Sequence, residues 1–147
     1  MKTFVPIAVG LLAACSTTPE PVVALPPAAF ELSDAEVLQV VEGCLANALP
    51  PSQVGEEREE IEMLLTGATR SLPAKAGGYR LLPYDPPQEH DYDHRLQLLI
   101  DSLEGDTMLV TFKIMNPIGG PSVYELRFAR SEGVWSYAEL VSATEYL

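Results

Sequence analysis

Cysteine is scarce in this chain of 147 residues, which contains only Cys15 and Cys44. No Cys-x-x-Cys pair can form from two cysteines so far apart, so a thioredoxin-like redox motif is excluded. A phosphate-binding glycine loop is also missing. So is the strand-to-helix Gly-x-Ser-x-Gly turn of serine hydrolases, because Gly120-Pro121-Ser122 falls in a predicted hairpin. The sequence therefore offers none of these three catalytic signatures.

Positive charge is scarce as well, with nine Lys and Arg against 21 Asp and Glu, a formal net charge of −12. Lys2 lies in a segment expected to be removed, which leaves 8 − 21 = −13 for the mature chain. Such a surface repels phosphate backbones, so nucleic acid is excluded as a partner. The acidity favours a well-hydrated surface, and binding of a cation or a basic partner is the alternative.

Apolar residues form a run over residues 4–14 that is too short to cross a bilayer, which takes about 20 residues. With Lys2 before it, the run is typical of the apolar region of a secretory signal. It ends in Leu12-Ala13-Ala14-Cys15-Ser16. This motif resembles the lipobox of bacterial lipoproteins. An ordinary signal peptide with an incidental cysteine is the alternative.

The lipobox resemblance implies cleavage before Cys15, a diacylglycerol on its sulfur and an acyl chain on its new amine. Each buried methylene adds about 0.8 kcal/mol of membrane affinity, so several chains anchor a protein stably. Ser16 after the cysteine implies sorting to the outer membrane in enteric-type bacteria. The expected location is therefore the cell envelope, lipid-anchored at the periplasmic face of the outer membrane.

The composition divides the chain into three parts. Residues 1–14 form the predicted lipoprotein signal peptide, residues 15–30 the acylated cysteine and a tether, and residues 31–147 a single domain. Four prolines among small residues make the tether an extended spacer: Pro19, Pro21, Pro26 and Pro27.

A first helix is predicted after Ser33, which is placed to cap it while Glu36 reaches back in a capping box. Its apolar stripe ends before Pro50-Pro51 and includes Cys44. With Cys15 acylated, Cys44 has no intramolecular disulfide partner, so we expect it in the core. A disulfide between two copies is the alternative.

A second helix is predicted over residues 55–69, where four glutamates crowd the first turns and favour a helix amino terminus. Its buried stripe would be Ile61, Leu64, Leu65 and Ala68. The glutamates, Glu56, Glu57, Glu59 and Glu60, share one hydrated helix end, which suits neither acid–base catalysis nor the loop spacing of a calcium site. We interpret them as a solvent-exposed face.

The last third of the chain alternates between apolar and polar residues in four runs over residues 94–142. A period of two predicts β-strands with one buried face, on which Trp135 is expected. Three turn sequences reverse the chain between these strands: Glu104-Gly105-Asp106, residues 116–121 and Ser131-Glu132-Gly133. A short edge strand is predicted at residues 79–82, ended by Pro83.

The predicted fold class is therefore α+β, with two N-terminal helices packed on a four-stranded antiparallel meander. The closing hairpin, residues 124–137 with Gly133-Val134-Trp135 at its turn, resembles that of nuclear-transport-factor-2-like domains. This resemblance implies a curved antiparallel sheet wrapped by helices, often around a pocket, and carries over no catalytic residue.

One polar cluster, Glu89-His90-Asp91-Tyr92-Asp93-His94, contains both histidines. On a strand, Asp91 and Asp93 point away from the histidines, and on a helix only His90 and His94 meet. Zinc and copper need three or four converging ligands. We therefore predict no metal site, no cofactor and no catalytic residue here.

The predicted function is a membrane-anchored, non-enzymatic binding or assembly module with a protein partner in the cell envelope. One alternative is an immunity-type inhibitor whose acidic surface blocks a basic toxin. The other is a small metal-dependent hydrolase that uses His90, Asp91, Asp93 and His94.

Overall fold

A computed structural model of the chain describes residues 29–49, 59–83, 95–115 and 120–145. These residues contain one helix, α1 (Asp34–Ala48), and seven strands. The strands are β1 (Glu60–Thr66), β2 (Lys75–Ala76), β3 (Tyr79–Pro83), β4 (Arg95–Glu104), β5 (Thr107–Met115), β6 (Ser122–Ser131) and β7 (Val134–Thr144).

The four strands predicted in the last third of the chain are present as the antiparallel series β4 to β7. Alternate residues of β4, β5 and the first part of β6 are buried, as a strand with one core face requires. The β6–β7 turn has positive φ at Glu132 and Gly133, 51° and 79°, which matches the right-handed twist of a two-residue hairpin. Residues 116–119, in the second predicted turn, lie outside the described residues.

The predicted second helix is wrong, because residues 60–66 form strand β1. β1 runs parallel to β3 on one side and to β4 on the other. Ile61 and Met63 are buried at a spacing of two, whereas Leu64 is only partly buried. A short apolar run fits both periods, and here two neighbouring strands supply backbone partners that a helix would not need.

The predicted fold class, two helices on a four-stranded antiparallel meander, is also wrong. The described part of the chain is mostly one mixed sheet of seven strands in the order β2-β3-β1-β4-β5-β6-β7, with a single helix. The strand predicted at residues 79–82 is β3, but it lies between β2 and β1 rather than at an edge. The meander is thus extended past β4 by three strands of mixed direction.

Helix α1 contacts β7 and β6 at one end of the sheet and β2 at the other. Because β2 and β7 are the two edge strands of one sheet, the sheet has to curl around the helix. The capping box predicted at its start is confirmed, with Glu36 N–H donating to Ser33 Oγ at 3.2 Å and Ser33 N–H to Glu36 Oε2 at 2.8 Å. Cys44 is fully buried, as predicted.

The core fills the space between α1 and the concave face of the sheet. Its largest fully buried side chains include Phe112, Phe128, Met63, Leu96, Leu98, Ile100, Met108, Ile114 and Leu126. The chain joins the sheet before the helix, at Phe30, whose N–H donates to the Gly67 carbonyl at 2.8 Å. The Phe30 carbonyl also accepts from Thr69 N–H at 3.0 Å, so the N–H and the C=O of this residue are both hydrogen-bonded.

Candidate functional site

Strand β7 is the long exposed edge of the sheet. It pairs with β6 on one side, and no other strand in the described part of the chain pairs with its second side. The opposite edge, β2, has only two residues and carries Lys75, whereas β7 has eleven residues. Short, lysine-bearing edges resist pairing with other chains, and long ones invite it. The two edges of this sheet therefore differ in their capacity to bind another strand.

Helix α1 covers the free edge of β7 at its first residues. Gln39 Oε1 accepts from the Trp135 backbone N–H at 2.8 Å, and Glu36 Oε1 accepts from Trp135 Nε1 at 3.2 Å. The Trp135 side chain is 2% exposed. A strand that approached β7 at this position would have to displace Gln39. Two residues later, the ring of Tyr137 packs edge-on against Phe128, with 6.3 Å between the ring centroids.

The remainder of β7, residues 137–144, is open, and we call it the open edge. Every residue from Ala138 to Thr144 is exposed, including Leu140 at 48% and Val141 at 42%. Leu140 lies directly opposite Leu126, which is fully buried. Directly opposed residues share one face of a sheet, so the apolar face continues from Leu126 to Leu140. Helix α1 does not cover this face at Leu140.

The pairing of β7 with β6 shifts register twice, between Glu125 and Leu126 and between Arg127 and Phe128. Ala138 and Val141 are the β7 residues left without an opposite residue. Such bulges bend a strand and increase its twist. A straight, regular strand therefore cannot pair with the open edge along its whole length. A flexible segment can bend with β7 and pair with it.

The charges on β7 are all negative. Residues 134–145 contain Glu139 and Glu145 and no lysine, arginine or proline. Glu139 forms an ion pair with Arg127 of β6, and Glu145 Oε1 accepts from the Tyr124 hydroxyl at 2.9 Å. Burial, reinforced by the carboxylate of Glu145, raises the pKa of Tyr124, so this hydroxyl stays a neutral donor. The open edge combines apolar side chains with carboxylates.

A polar cluster around Trp135 joins α1 to the turns at this end of the sheet. The Arg130 guanidinium lies 5.0 Å from the centre of the Trp135 ring, and Arg130 Nε donates to Asp106 Oδ1 at 2.9 Å. Arg130 also lies 3.6 Å from Glu36 Oε1. Each of these charged groups has a partner within the fold, so the cluster is a structural connection between helix and sheet.

The pKa of Glu36 lies below its ordinary value, mainly because its carboxylate accepts the backbone N–H of Ser33, with further contributions from Trp135 and Arg130. A lowered pKa in the folded state stabilises the fold above the unfolded value of 4.5, and this contribution is lost as pH falls through the folded pKa. We expect Glu36→Gln to lower the melting temperature at pH 7 and to differ less from wild type towards pH 3. Glu42→Gln, an exposed change on the same helix, is the control. A difference between Glu36→Gln and wild type that stays constant with pH would contradict the assignment.

The residues predicted as candidate sites are placed only in part. Cys15 and the cluster of His90, Asp91, Asp93 and His94 lie outside the described residues. Within the described ranges, no group of three or more His, Cys, Asp or Glu side chains could hold a metal ion. Nor is any helix within those ranges long and apolar enough to cross a membrane.

Two of the glutamates that were predicted to begin a second helix lie instead at the start of a strand. Glu59 and Glu60 are exposed at the start of β1, and Glu60 forms an ion pair with Arg80 of β3. Cys44 is buried, and this burial raises the pKa of its thiol, which keeps it protonated. A protonated, inaccessible thiol is a poor nucleophile, in agreement with its predicted core role.

The open edge was not predicted from the sequence. A signal was present, because residues 134–145 lack the lysines and prolines that commonly protect an edge strand. Leu140 and Val141 are also adjacent, which breaks the alternation expected of a strand with one wet face. What the sequence did not indicate is where α1 stops covering the strand.

Comparison with known proteins gives no match to a protein-family model, a curated protein or a solved structure. The likenesses to the lipobox and to the closing hairpin of nuclear-transport-factor-2-like domains thus stay predictions.

Proposed function

We propose that this protein is a lipid-anchored module of the cell envelope that binds another protein without catalysing a reaction. The observation that carries the proposal is the open edge, residues 137–144, with its exposed Leu140 and Val141. Exposed apolar side chains beside unpaired strand backbone are typical of protein-binding surfaces. The motif Leu12-Ala13-Ala14-Cys15 supports the lipid anchor.

Anchor and edge would act together. Acyl chains on Cys15 would hold the protein at a membrane surface, and the spacer predicted over residues 17–29 would reach about 40 Å from it if extended. A partner in the same membrane or in the adjacent space then meets the open edge at a raised effective concentration. Weak strand pairing would therefore suffice for useful occupancy. We propose that this activity occurs at the periplasmic face of the outer membrane, because Ser16 follows the lipobox cysteine.

An inhibitor of a basic toxin is the second candidate, and the charge distribution favours it. All five arginines in the described residues form ion pairs with carboxylates of this chain: Arg70, Arg80, Arg95, Arg127 and Arg130. The remaining carboxylates leave the surface strongly acidic, which would speed the encounter with a positively charged protein. This candidate shares the anchor and the binding role of the first and differs only in the partner.

The anchor is tested by Cys15→Ala. We expect the wild-type protein to sediment with membranes and the Cys15→Ala protein to leave the membrane fraction, because acylation is lost. Cys44→Ala is the matched control, since it removes the other thiol and should not change fractionation. Mass spectrometry of the mature amino terminus provides an independent readout. An unmodified amino terminus, or identical fractionation of wild type and Cys15→Ala, would refute the lipoprotein assignment.

A further inference from the structure

We infer that the open edge binds an extended, positively charged segment of a partner protein as an added β-strand. The inference rests on the proposed binding function and names the chemistry of the partner. Three independent features of residues 137–144 carry it: the free backbone edge, the exposed apolar side chains and the sign of the nearby charge.

The backbone of the open edge provides the hydrogen-bonding groups. In an antiparallel ladder, alternate residues of an edge strand direct N–H and C=O away from the neighbouring strand. Trp135 N–H has this direction, because Gln39 rather than β6 accepts it. Tyr137, two residues later in the same register, has the same direction. At Trp135 the helix supplies the acceptor, and along the open edge an added strand would supply it.

The side chains of the open edge add selectivity. Leu140 and Val141 would bury against apolar side chains of the incoming strand, which project at alternate positions. The bulged residues Ala138 and Val141 require a strand that bends with β7. A flexible peptide segment meets this requirement more readily than a strand already fixed in a sheet.

The charge selects a basic segment and disfavours a second copy of this chain. Glu139 and Glu145 lie on or directly after the open edge, and Glu125 of β6 lies opposite Ser142 and accepts its hydroxyl. The nearby Arg127 is already paired with Glu139. Lysine or arginine side chains on the added strand would approach these carboxylates. A second copy would bring a net charge of −12 against the same charge, which opposes association.

The test uses the mature full-length lipoprotein in detergent and two labelled octapeptides. One alternates valine with lysine and the other valine with glutamate, so both favour extended structure and differ in charge. We expect the lysine peptide to bind on the order of tenfold more tightly or better. It should also slow amide hydrogen exchange in residues 137–144. Binding should weaken as salt rises, because exposed charges are screened.

Two variants of β7 locate the binding. Val141→Lys introduces a protective charge in the open edge and is expected to weaken binding of the lysine peptide on the order of tenfold. Val134→Lys makes the same change at a residue that is 50% exposed but lies before the open edge, and it should leave affinity within about twofold. Both variants should melt at the wild-type temperature, because both positions are exposed.

Several outcomes overturn the inference. Equal affinity for the two peptides would remove the charge argument, and equal effects of Val141→Lys and Val134→Lys would place binding elsewhere. Dimerisation that Val141→Lys abolishes would identify a second copy as the occupant. Photo-crosslinkers at position 141 and at exposed Ser71, used in cells, separate this inference from the proposed function. Partner crosslinks from Ser71 alone would overturn only the inference, and crosslinks from neither position, with no peptide binding, would overturn both.

Discussion

Replacement of Trp135 by alanine is expected to destabilise the protein by about 3–5 kcal/mol, the range for large buried aromatic side chains. The Trp135 side chain is 2% exposed and lies between α1 and the sheet. Its removal leaves a cavity, deprives Glu36 of the indole N–H and takes the aromatic ring away from Arg130. Urea unfolding followed by far-UV circular dichroism measures the loss, because the variant has no tryptophan to report by fluorescence.

Two variants divide this effect into its parts. Trp135→Phe keeps much of the apolar volume but removes the indole N–H, and we expect a loss of about 1–3 kcal/mol. Val134→Ala, at an exposed neighbouring residue, should change stability by no more than about 0.5 kcal/mol. A loss below about 0.5 kcal/mol for Trp135→Ala would show that this ring does not belong to the core.

The elements that could be predicted from the sequence are those whose signals are local. The capping box of Ser33 and Glu36 lies within four consecutive residues, and the structure confirms it with both hydrogen bonds. The alternation of Leu96, Leu98 and Ile100 predicts a strand whichever partner it finds. The hairpin turn at Glu132-Gly133 is equally local. Helix α1 and strands β4 to β7 follow from such signals.

The second helix was mispredicted because its signal was ambiguous and its partners lie far away in sequence. Ile61, Leu64 and Leu65 fit a helical stripe, and Ile61, Met63 and Leu65 fit a strand equally well. Pairing with β3 and β4 decides between the two, and both are parallel contacts made across connecting segments. Parallel pairing leaves no hairpin turn in the sequence to indicate it.

Only the residue types of the candidate site, and not their exposure, could be predicted from the sequence. The absence of lysine and proline from β7 and the adjacent Leu140 and Val141 are visible in the sequence. Whether they are exposed depends on the path of α1, which reaches Trp135 through Gln39 and does not extend over the open edge. That path is set by how far the sheet curls, a property of all seven strands together. Local patterns carry little information about it.

The end of β1 provides a second test of the sheet, because Gly67 approaches the backbone of β4 closely. A Cβ added at Gly67 would lie 2.4 Å from the carbonyl oxygen of Ile100, and the residue has a φ of +85°. Both conditions exclude a side chain, and Ile100 cannot retreat without disturbing the pairing of β4 with β5. The Gly67 carbonyl also accepts Phe30 N–H, which fixes the peptide from the other side.

Gly67→Ala is therefore expected to destabilise the protein by about 2–5 kcal/mol, the sum of a left-handed backbone penalty and a steric clash. Gly78→Ala is the matched control, because Gly78 has a φ of +88° and no atom within 4 Å of the added Cβ. Gly78→Ala should reduce the free energy of unfolding only by the backbone penalty, about 1–2 kcal/mol. Denaturant unfolding of the two variants gives the difference, which measures the close approach alone. Equal losses would mean that the end of β1 does not lie against β4 as described, and the mixed sheet would need revision at its parallel junction.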